Sequence, residues 1–317
     1  MTGLLTAGIV QTALEVGLIY SLVAMALFLS FTILNVCDLS TDGCYTLGCA
    51  VGAVVTMSGH PILAIPAAMA AGICSGYITA FLQTKMGVES ILAGIVVNTG
   101  LYTINLAVMG FKSNVPIFGQ ATVFSLIEDL FPGAWWHEWG PLLFLTLLLA
   151  VICLLMWWFL GTRLGLSIRE TGDSPDMVQA SSINPTATVT VGLCVANAMT
   201  GLAGCLIGQY NKTCDINLGT GMVTVALASL IIGQTLAGRK GRMLWRIFCV
   251  VLGSCLYRFV IALSLRLNVP TEAFKLVSAL IVAIAIAIPQ MRENLAFRQK
   301  KAQARKLKAL HNTEVTP

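Results

Sequence analysis

The sequence predicts an all-α membrane bundle of about nine transmembrane segments (eight to ten), with broken or re-entrant helices among them. Three observations carry this. Only 10% of the 317 residues are charged and 57% are hydrophobic, whereas an average soluble domain carries roughly 25% charged residues. Uncharged apolar runs recur along the chain, and a bilayer-crossing helix needs about 20 such residues. The basic residues fall on alternate connections between those runs. With a mean hydropathy of +0.84, the composition excludes a soluble enzyme, a nucleic-acid binder and a disordered chain. The 29 glycines follow no three-residue period, which excludes collagen.

The first segment, 5–34, opens without a basic stretch and reads as a span rather than a cleaved signal peptide. It ends in a polar break, Asn35 to Gly43, with Asp38 and Asp42 four residues apart and Ser40, Thr41 and Gly43 around them. Charge is costly inside a bilayer, so such groups line water or a pathway. A helix beginning at Asp42 or Gly43 directs the positive end of its dipole into the bundle. Helices broken at mid-depth are a recurring way to build transport sites. A short second segment, 43–58, and a third, 62–84, are joined by the turn Ser58 to Pro61. The fourth, 89–110, contains Asn98, which either bonds a neighbouring helix or faces a pathway.

Residues 111–140 form the longest external connection, in which Trp135, Trp136 and Trp139 are either an interfacial belt or part of a docking surface. The fifth segment, 141–160, closes on Trp157 and Trp158. Residues 162–186 are the longest polar stretch on the opposite side. Leu166 to Glu170 and Pro175 to Ala180 suit short helices split by Thr171-Gly172-Asp173, with Asp173 or Ser174 as cap. This is a plain connection or a rigid protrusion able to transmit a push.

The sixth segment, 187–210, carries Gly192, Gly201 and Gly204. With the pairs Gly48/Gly52 and Gly72/Gly76, these allow close helix approach. Ahead of the seventh, 217–236, Cys214 to Gly221 echoes the first break and brings Asp215, Asn217 and Gly219, through internal duplication or as an ordinary polar loop. The eighth and ninth segments are 244–265 and 271–289. Glu15, Arg258 and Lys275 lie inside spans, and their pairing is open.

If nine segments alternate and the C-terminus is cytosolic, fourteen basic residues lie inside: Lys85, Arg163, Arg169, Arg239, Lys240, Arg242, Arg246 and seven in the tail. Lys112, Lys212 and Arg266 lie outside. This bias places the C-terminus in the cytosol. The net charge of +5 belongs to the tail 292–317, which is solvated and able to meet anionic lipid head groups. Residues 1–291 form one transmembrane domain. No catalytic residues, metal site or cofactor are expected. The ten cysteines form no Cys-x-x-Cys, the three histidines are scattered, and no Gly-x4-Gly-Lys-Ser/Thr, His-Glu-x-x-His or Gly-x-Ser-x-Gly occurs.

Four blocks carry a resemblance. Asp38-Leu39-Ser40-Thr41-Asp42-Gly43 with Leu47-Gly48 is similar to the signature after the first core helix of permeases in the branched-chain amino-acid and ribose class of ABC importers. Gly165 to Asp173, then Met177 and Ser182-Ile183-Asn184, resembles the ATPase-coupling loop of that class, with Glu170 and Ser182 where the family usually has Ala and Gly. Leu202-Ala203-Gly204 and Gly219-Thr220-Gly221 through Gly233 resemble the next block. Leu256-Tyr257-Arg258 and Lys275 to Ala279 resemble the last helices of a subgroup paired with lipoprotein binding proteins and associated with aromatic amino acids.

The resemblance implies a permease subunit of a bacterial plasma-membrane importer for an amino acid, aromatic or branched-chain, without an ATPase of its own. The implied partners are cytosolic ATP-binding cassette subunits, an external substrate-binding lipoprotein and a second permease copy, within membrane lipid. Asp38, Ser40, Thr41, Asp42, Gly43, Asn98, Asp215, Asn217 and Gly219 are the expected pathway residues. Arg169, Glu170, Thr171, Gly172, Asp173 and Met177 are the expected coupling residues. The alternatives are an ion-coupled secondary transporter using Asp38 and Asp42, and a non-transporting membrane scaffold.

Overall fold

A computed structural model describes residues 7–130, 134–238 and 242–266, together with positions 280 and 283. Helix α1 (Ala7–Leu27) runs directly into a π turn (Phe28–Ile33). There follow α2 (Thr41–Met57), α3 (Pro61–Thr84), α4 (Ser90–Val108), β1 (Asn114–Pro116), α5 (Val123–Leu130), α6 (Ala134–Gly161), α7 (Arg163–Asp173), α8 (Pro175–Ala180), α9 (Pro185–Asn211), β2 (Thr213–Asp215), α10 (Met222–Ala237) and α11 (Met243–Arg266). Eight of the nine expected segments coincide with helices. The ninth, 271–289, and the tail 292–317 fall almost entirely outside the described residues, and Lys275, Arg239 and Lys240 lie outside them too.

The centre of the bundle is α9. Its apolar stretch is 83% buried, against 17% for α6, where Leu143, Leu147, Leu154, Leu155, Trp157 and Trp158 face outward. Helices α2 and α3 approach α9 through glycine. Gly48 lies on the Gly201 backbone, Gly72 on the Asn197 carbonyl and Gly76 on Leu193, leaving no room for a side chain at any of the three. Backbones this close bring many atoms to van der Waals distance, the main source of helix cohesion where lipid is as apolar as the side chains. The glycine pairs read from the sequence therefore serve as packing surfaces.

These contacts also give depth. Helix α3 is antiparallel to α9, with Gly76 opposite Leu193 and Pro61 bonded to Gln209 at 3.2 Å. Helix α2 is parallel to α9, but it starts beside Asn197, where Cys44 Sγ donates to the Asn197 carbonyl at 3.4 Å. Asn197 is the thirteenth residue of a 27-residue helix, so α2 begins halfway through the bundle. Helix α10 begins at the same depth and runs the other way. Its start is bonded to Asp42 and its end to the π turn, Gln234 Nε2 donating to Thr32 Oγ1 at 2.6 Å.

Six helices among the described residues are long and apolar enough to cross a membrane. The second and seventh expected segments differ. At 17 and 16 residues and 1.5 Å per residue, α2 and α10 are about 25 Å long. A hydrocarbon core is about 30 Å thick, and each starts at mid-depth, so these are half-helices.

The short antiparallel ladder β1–β2, with Val115 opposite Cys214, closes one face of the bundle. Lys112 and Lys212 lie there, while Lys85, Arg163, Arg169, Arg242 and Arg246 lie at the opposite face with α7 and α8. The connection 111–140, expected as a loop, also holds α5 and the first turns of α6. Pro141 sits inside α6 rather than at its start, since a proline removes one helical bond without necessarily ending the helix. The side chains of Trp135 and Trp136 are outside the description. Trp139, Trp157 and Trp158 are exposed, as an interfacial belt requires.

Candidate functional site

The chain breaks where the π turn ends. Leu34 N–H donates to the Leu29 carbonyl and Val36 N–H to the Ser30 carbonyl. Asn35 then adopts a left-handed φ of 56°, a conformation Asn tolerates better than most residues, and the helix cannot continue. Asp38 organises the residues after the break. Its Oδ1 accepts from Ser40 N–H at 2.8 Å and Ser40 Oγ at 2.6 Å, and its Oδ2 accepts from Asn197 Nδ2 at 2.8 Å. Asp38 is 2% exposed. Thr41 Oγ1 donates back to the Asp38 carbonyl, and Thr79 Oγ1 donates to Ser40 Oγ.

Asp42 lies in the first turn of α2, yet its carboxylate caps another helix. Oδ2 accepts from Gly221 N–H at 3.0 Å and Oδ1 from Val223 N–H at 2.8 Å, both at the start of α10. Each helix N-terminus carries roughly half a positive charge. Asp42 sits in the first turn of one helix and bonds the first N–H groups of another. Thr46 Oγ1, one turn further along α2, accepts from Gly219 N–H at 3.1 Å, and Gly219 packs so closely on the Asp42 carbonyl that it has no room for a side chain.

A polar cavity of about 310 Å³ opens beside this junction. Helix α2 contributes Asp42, Gly43 and Thr46; α4 contributes Asn98, Thr99, Tyr102 and Asn105; the descent into α10 contributes Ile216, Asn217, Gly219 and Thr220. Asn105 Nδ2 donates to the Gly43 carbonyl at 3.1 Å, tying α4 to α2. A side chain at Gly43 would meet Asn98 Oδ1 at 2.6 Å and Leu101 at 3.0 Å.

Of the expected pathway residues, Asp42, Gly43, Asn98, Asn217 and Gly219 line this one cavity. Asp38, Ser40 and Thr41 sit behind it, buried and mutually bonded. Asp215 ends β2 and accepts from Asn217 N–H at 2.7 Å, holding the turn that presents Asn217. Sequence reasoning missed Thr46, Thr99, Tyr102, Asn105, Ile216 and Thr220. Helical spacing from Asp42 (i+4 to Thr46) and from Asn98 (i+4 to Tyr102, i+7 to Asn105) was the signal that could have found three of them.

At the opposite end of α10, α7 and α8 form a two-helix protrusion. The expected split at Thr171-Gly172-Asp173 is absent, and α7 continues to Asp173. Thr162 caps it by accepting from Gly165 N–H at 3.2 Å, and Gly172 lies against the Ile33 carbonyl, so the residue expected to break the helix is a packing residue. The break falls at Ser174, which holds the cap position of α8 with Pro175 in its first turn but makes no side-chain cap bond. Arg169, Glu170, Asp173 and Met177 are exposed. Thr171 is buried and shares a 2.8 Å hydroxyl bond with Thr188 of α9.

The charges inside spans lie apart from the cavity. Glu15 accepts from Tyr210 Oη at 2.8 Å and from Gln11 Nε2 at 3.1 Å, while the Arg258 guanidinium stacks 4.3 Å from the centre of the Tyr20 ring. Among the described residues no cluster of His, Cys, Asp and Glu is able to hold a metal ion.

The family model described as branched-chain amino acid transport system / permease component matches residues 9–286. The chain is 32% identical over 301 residues to the tyrosine transport system permease protein of Clostridioides difficile, covering 94% of this chain and 96% of that one. It is 30% identical over 283 residues to an uncharacterized protein of Rickettsia prowazekii, covering 88% and 97%. It is 25% identical over 261 residues to the ribose import permease protein RbsC of Escherichia coli K12, covering 81% and 78%. No solved structure matches.

Proposed function

The chain belongs to the family of branched-chain amino acid transport system permease components, and from that premise we propose that it carries an amino acid, aromatic or branched-chain, through the cavity at Asp42. As an ABC-type permease for a small solute it is a multi-pass membrane protein of a family without its own ATPase. The observation that carries the proposal is the meeting of α2 and α10. The two half-helices begin at mid-depth beside a polar cavity, which is how membrane proteins accommodate irregular backbone at depth.

In this reading the solute arrives from an external binding lipoprotein at the β1–β2 face. It passes Asp42, Gly43, Asn98, Asn217 and Gly219 and leaves at the face of α7 and α8, which is cytosolic together with the C-terminus. ATP-driven closure of cassette subunits pushes on Arg169 to Met177, and a second permease copy completes the path by alternating access. The membrane is the bacterial plasma membrane. The tyrosine-transport relative supports an aromatic amino acid. The ion-coupled alternative needs two accessible carboxylates, and the burial and bonding of Asp38 weigh against it.

The test is reconstitution with cassette subunits and binding protein in liposomes. ATP-dependent tyrosine uptake that survives an ionophore is expected. Uptake abolished by the ionophore and indifferent to ATP would replace this reading with the ion-coupled one.

A further inference from the structure

We propose that the segment Leu34 to Ser40 is a strap carrying movement of α7 to the cavity, and that Leu34 and Asn197 are its positioning residues. This rests on the functional reading above, but the route is drawn from contacts that neither the family nor the sequence pattern indicates.

The π turn is a junction of four helices. Gly172 of α7 lies on the Ile33 carbonyl, with its side-chain position 3.0 Å from Leu34 Cα. The Leu34 side chain fills the space left by Gly192 of α9, where an added Cβ would stand 3.2 Å from Leu34 Cγ. Thr32 accepts from Gln234 of α10, and Arg246 of α11 sits 5.4 Å from the Phe28 ring centre. Single π turns inside helices often mark functional sites.

From this junction the chain rises to mid-depth in seven residues, which span at most about 3.5 Å each, and every stage of the rise is held. Ser90 Oγ donates to the Cys37 carbonyl at 2.9 Å, a side chain at Gly94 would meet Leu39 N at 2.7 Å, Asn197 donates to Asp38, and Thr79 donates to Ser40. A segment gripped this often has no slack. Close-packed interiors transmit displacement rather than absorb it. Displacing Leu34 therefore displaces Asp38 and the start of α2, and with it the Asp42 carboxylate that holds α10. Helix α10 is thus bonded at both ends, to the π turn through Gln234 and to α2 through Asp42.

The experiment uses the assembled complex of permease, cassette subunits and binding protein. A Thr220→Cys reporter on the cavity wall is labelled with a maleimide with and without ATP, and peptide mass mapping separates it from the ten native thiols. An ATP-dependent change in labelling rate is expected in the parent. Leu34→Ala, which touches neither the exposed face of α7 nor the cavity, is expected to abolish that change and the solute-stimulated part of ATP hydrolysis, while subunit co-purification and basal hydrolysis stay at parental levels. Leu34→Met, which refills the space beside Gly192, is expected to restore both. Asn197→Ala and Asn197→Asp, the second of which sets another carboxylate against Asp38, are each expected to reproduce the loss.

Equal ATP-dependent labelling in the parent and Leu34→Ala overturns the strap and leaves the cavity reading standing. No ATP-dependent change in the parent itself brings down the functional reading, and the strap with it. Failure of Leu34→Met to restore a change that Leu34→Ala removed also refutes the proposal, since it assigns the effect to the filled space.

Discussion

Replacing Asp42 tests the junction most directly. The carboxylate accepts two backbone hydrogen bonds at 2.8 and 3.0 Å from the start of α10 while belonging to the first turn of α2. Asp42→Asn keeps the shape but leaves one oxygen for two N–H donors, so one bond is lost and an amide N–H₂ faces a backbone N–H. A hydrogen bond to a charged group contributes about 1.5–3 kcal/mol. Each 1.4 kcal/mol is tenfold in an equilibrium, so the docked start of α10 falls roughly ten- to a hundredfold in population relative to its alternatives. Asp42→Ala removes both bonds and leaves two donors without partners, at about twice that loss. The assay is ATP-driven uptake at matched permease abundance, with co-purification of the cassette subunits as control. The expected order of uptake is parent, then Asn, then Ala near zero, with cassette binding retained in all three. Asp42→Ala importing at the parental rate would refute the reasoning, because neither the cap nor the cavity would then matter to transport.

Three further outcomes rest on the same geometry. Gly43→Ala places a methyl 2.6 Å from Asn98 Oδ1; overpacking of this kind costs about 1–3 kcal/mol, so uptake falls, and adding Asn98→Ala recovers part of it because the clash is relieved. Asp38→Ala orphans the donors of Ser40 and Asn197 in a buried site; each buried donor left without a partner costs about 1–3 kcal/mol, so detergent-solubilised protein melts earlier, a loss of stability that Asp42→Asn does not match. Met177 is 67% exposed, so Met177→Asp leaves the melting point of the isolated permease unchanged while cassette-subunit co-purification drops.

The legible part of this fold is whatever hydropathy and charge encode. Apolar runs locate eight helices, and the polar breaks at Asp38–Gly43 and Asp215–Gly221 mark where two of them start. Hydropathy is blind to depth, however. The 17 residues of α2 look like a short span, and only the pairing of Cys44 with Asn197 shows that they begin inside the bundle. Asp38 and Asp42 look equivalent in the sequence, being two acids in one polar run. The partner that separates them, Asn197, lies 159 residues away from Asp38 on a helix whose sequence signal is its glycines. Gly172 reads as a helix breaker because propensity is local, whereas its reason for being glycine is the carbonyl of Ile33. The ladder β1–β2 has three residues in each strand, too few for any alternating pattern to show.

No basic side chain is among the described residues that line the cavity. An ionised carboxylate held in a low-dielectric interior needs compensation, and a lone buried charge without it is driven to neutralise. The start of α10 favours that charge through its bonded N–H groups, and Asp42 itself sits in the first turn of α2, where the helix dipole also favours an acid. Arg258 stacks on Tyr20 and is not among the lining residues. The rest of the lining is mostly amide, hydroxyl and one aromatic ring. Under the proposed function, a solute meeting this surface finds neutral hydrogen-bonding groups beside a single carboxylate. Had a lysine or arginine compensated Asp42 instead, any zwitterion in the cavity would compete for both members of that pair. Compensation by backbone avoids the competition, and it also makes the balance conditional on geometry: when α2 and α10 separate, the offset disappears with them. The electrostatics of the cavity and the relative position of the two half-helices are thus a single variable.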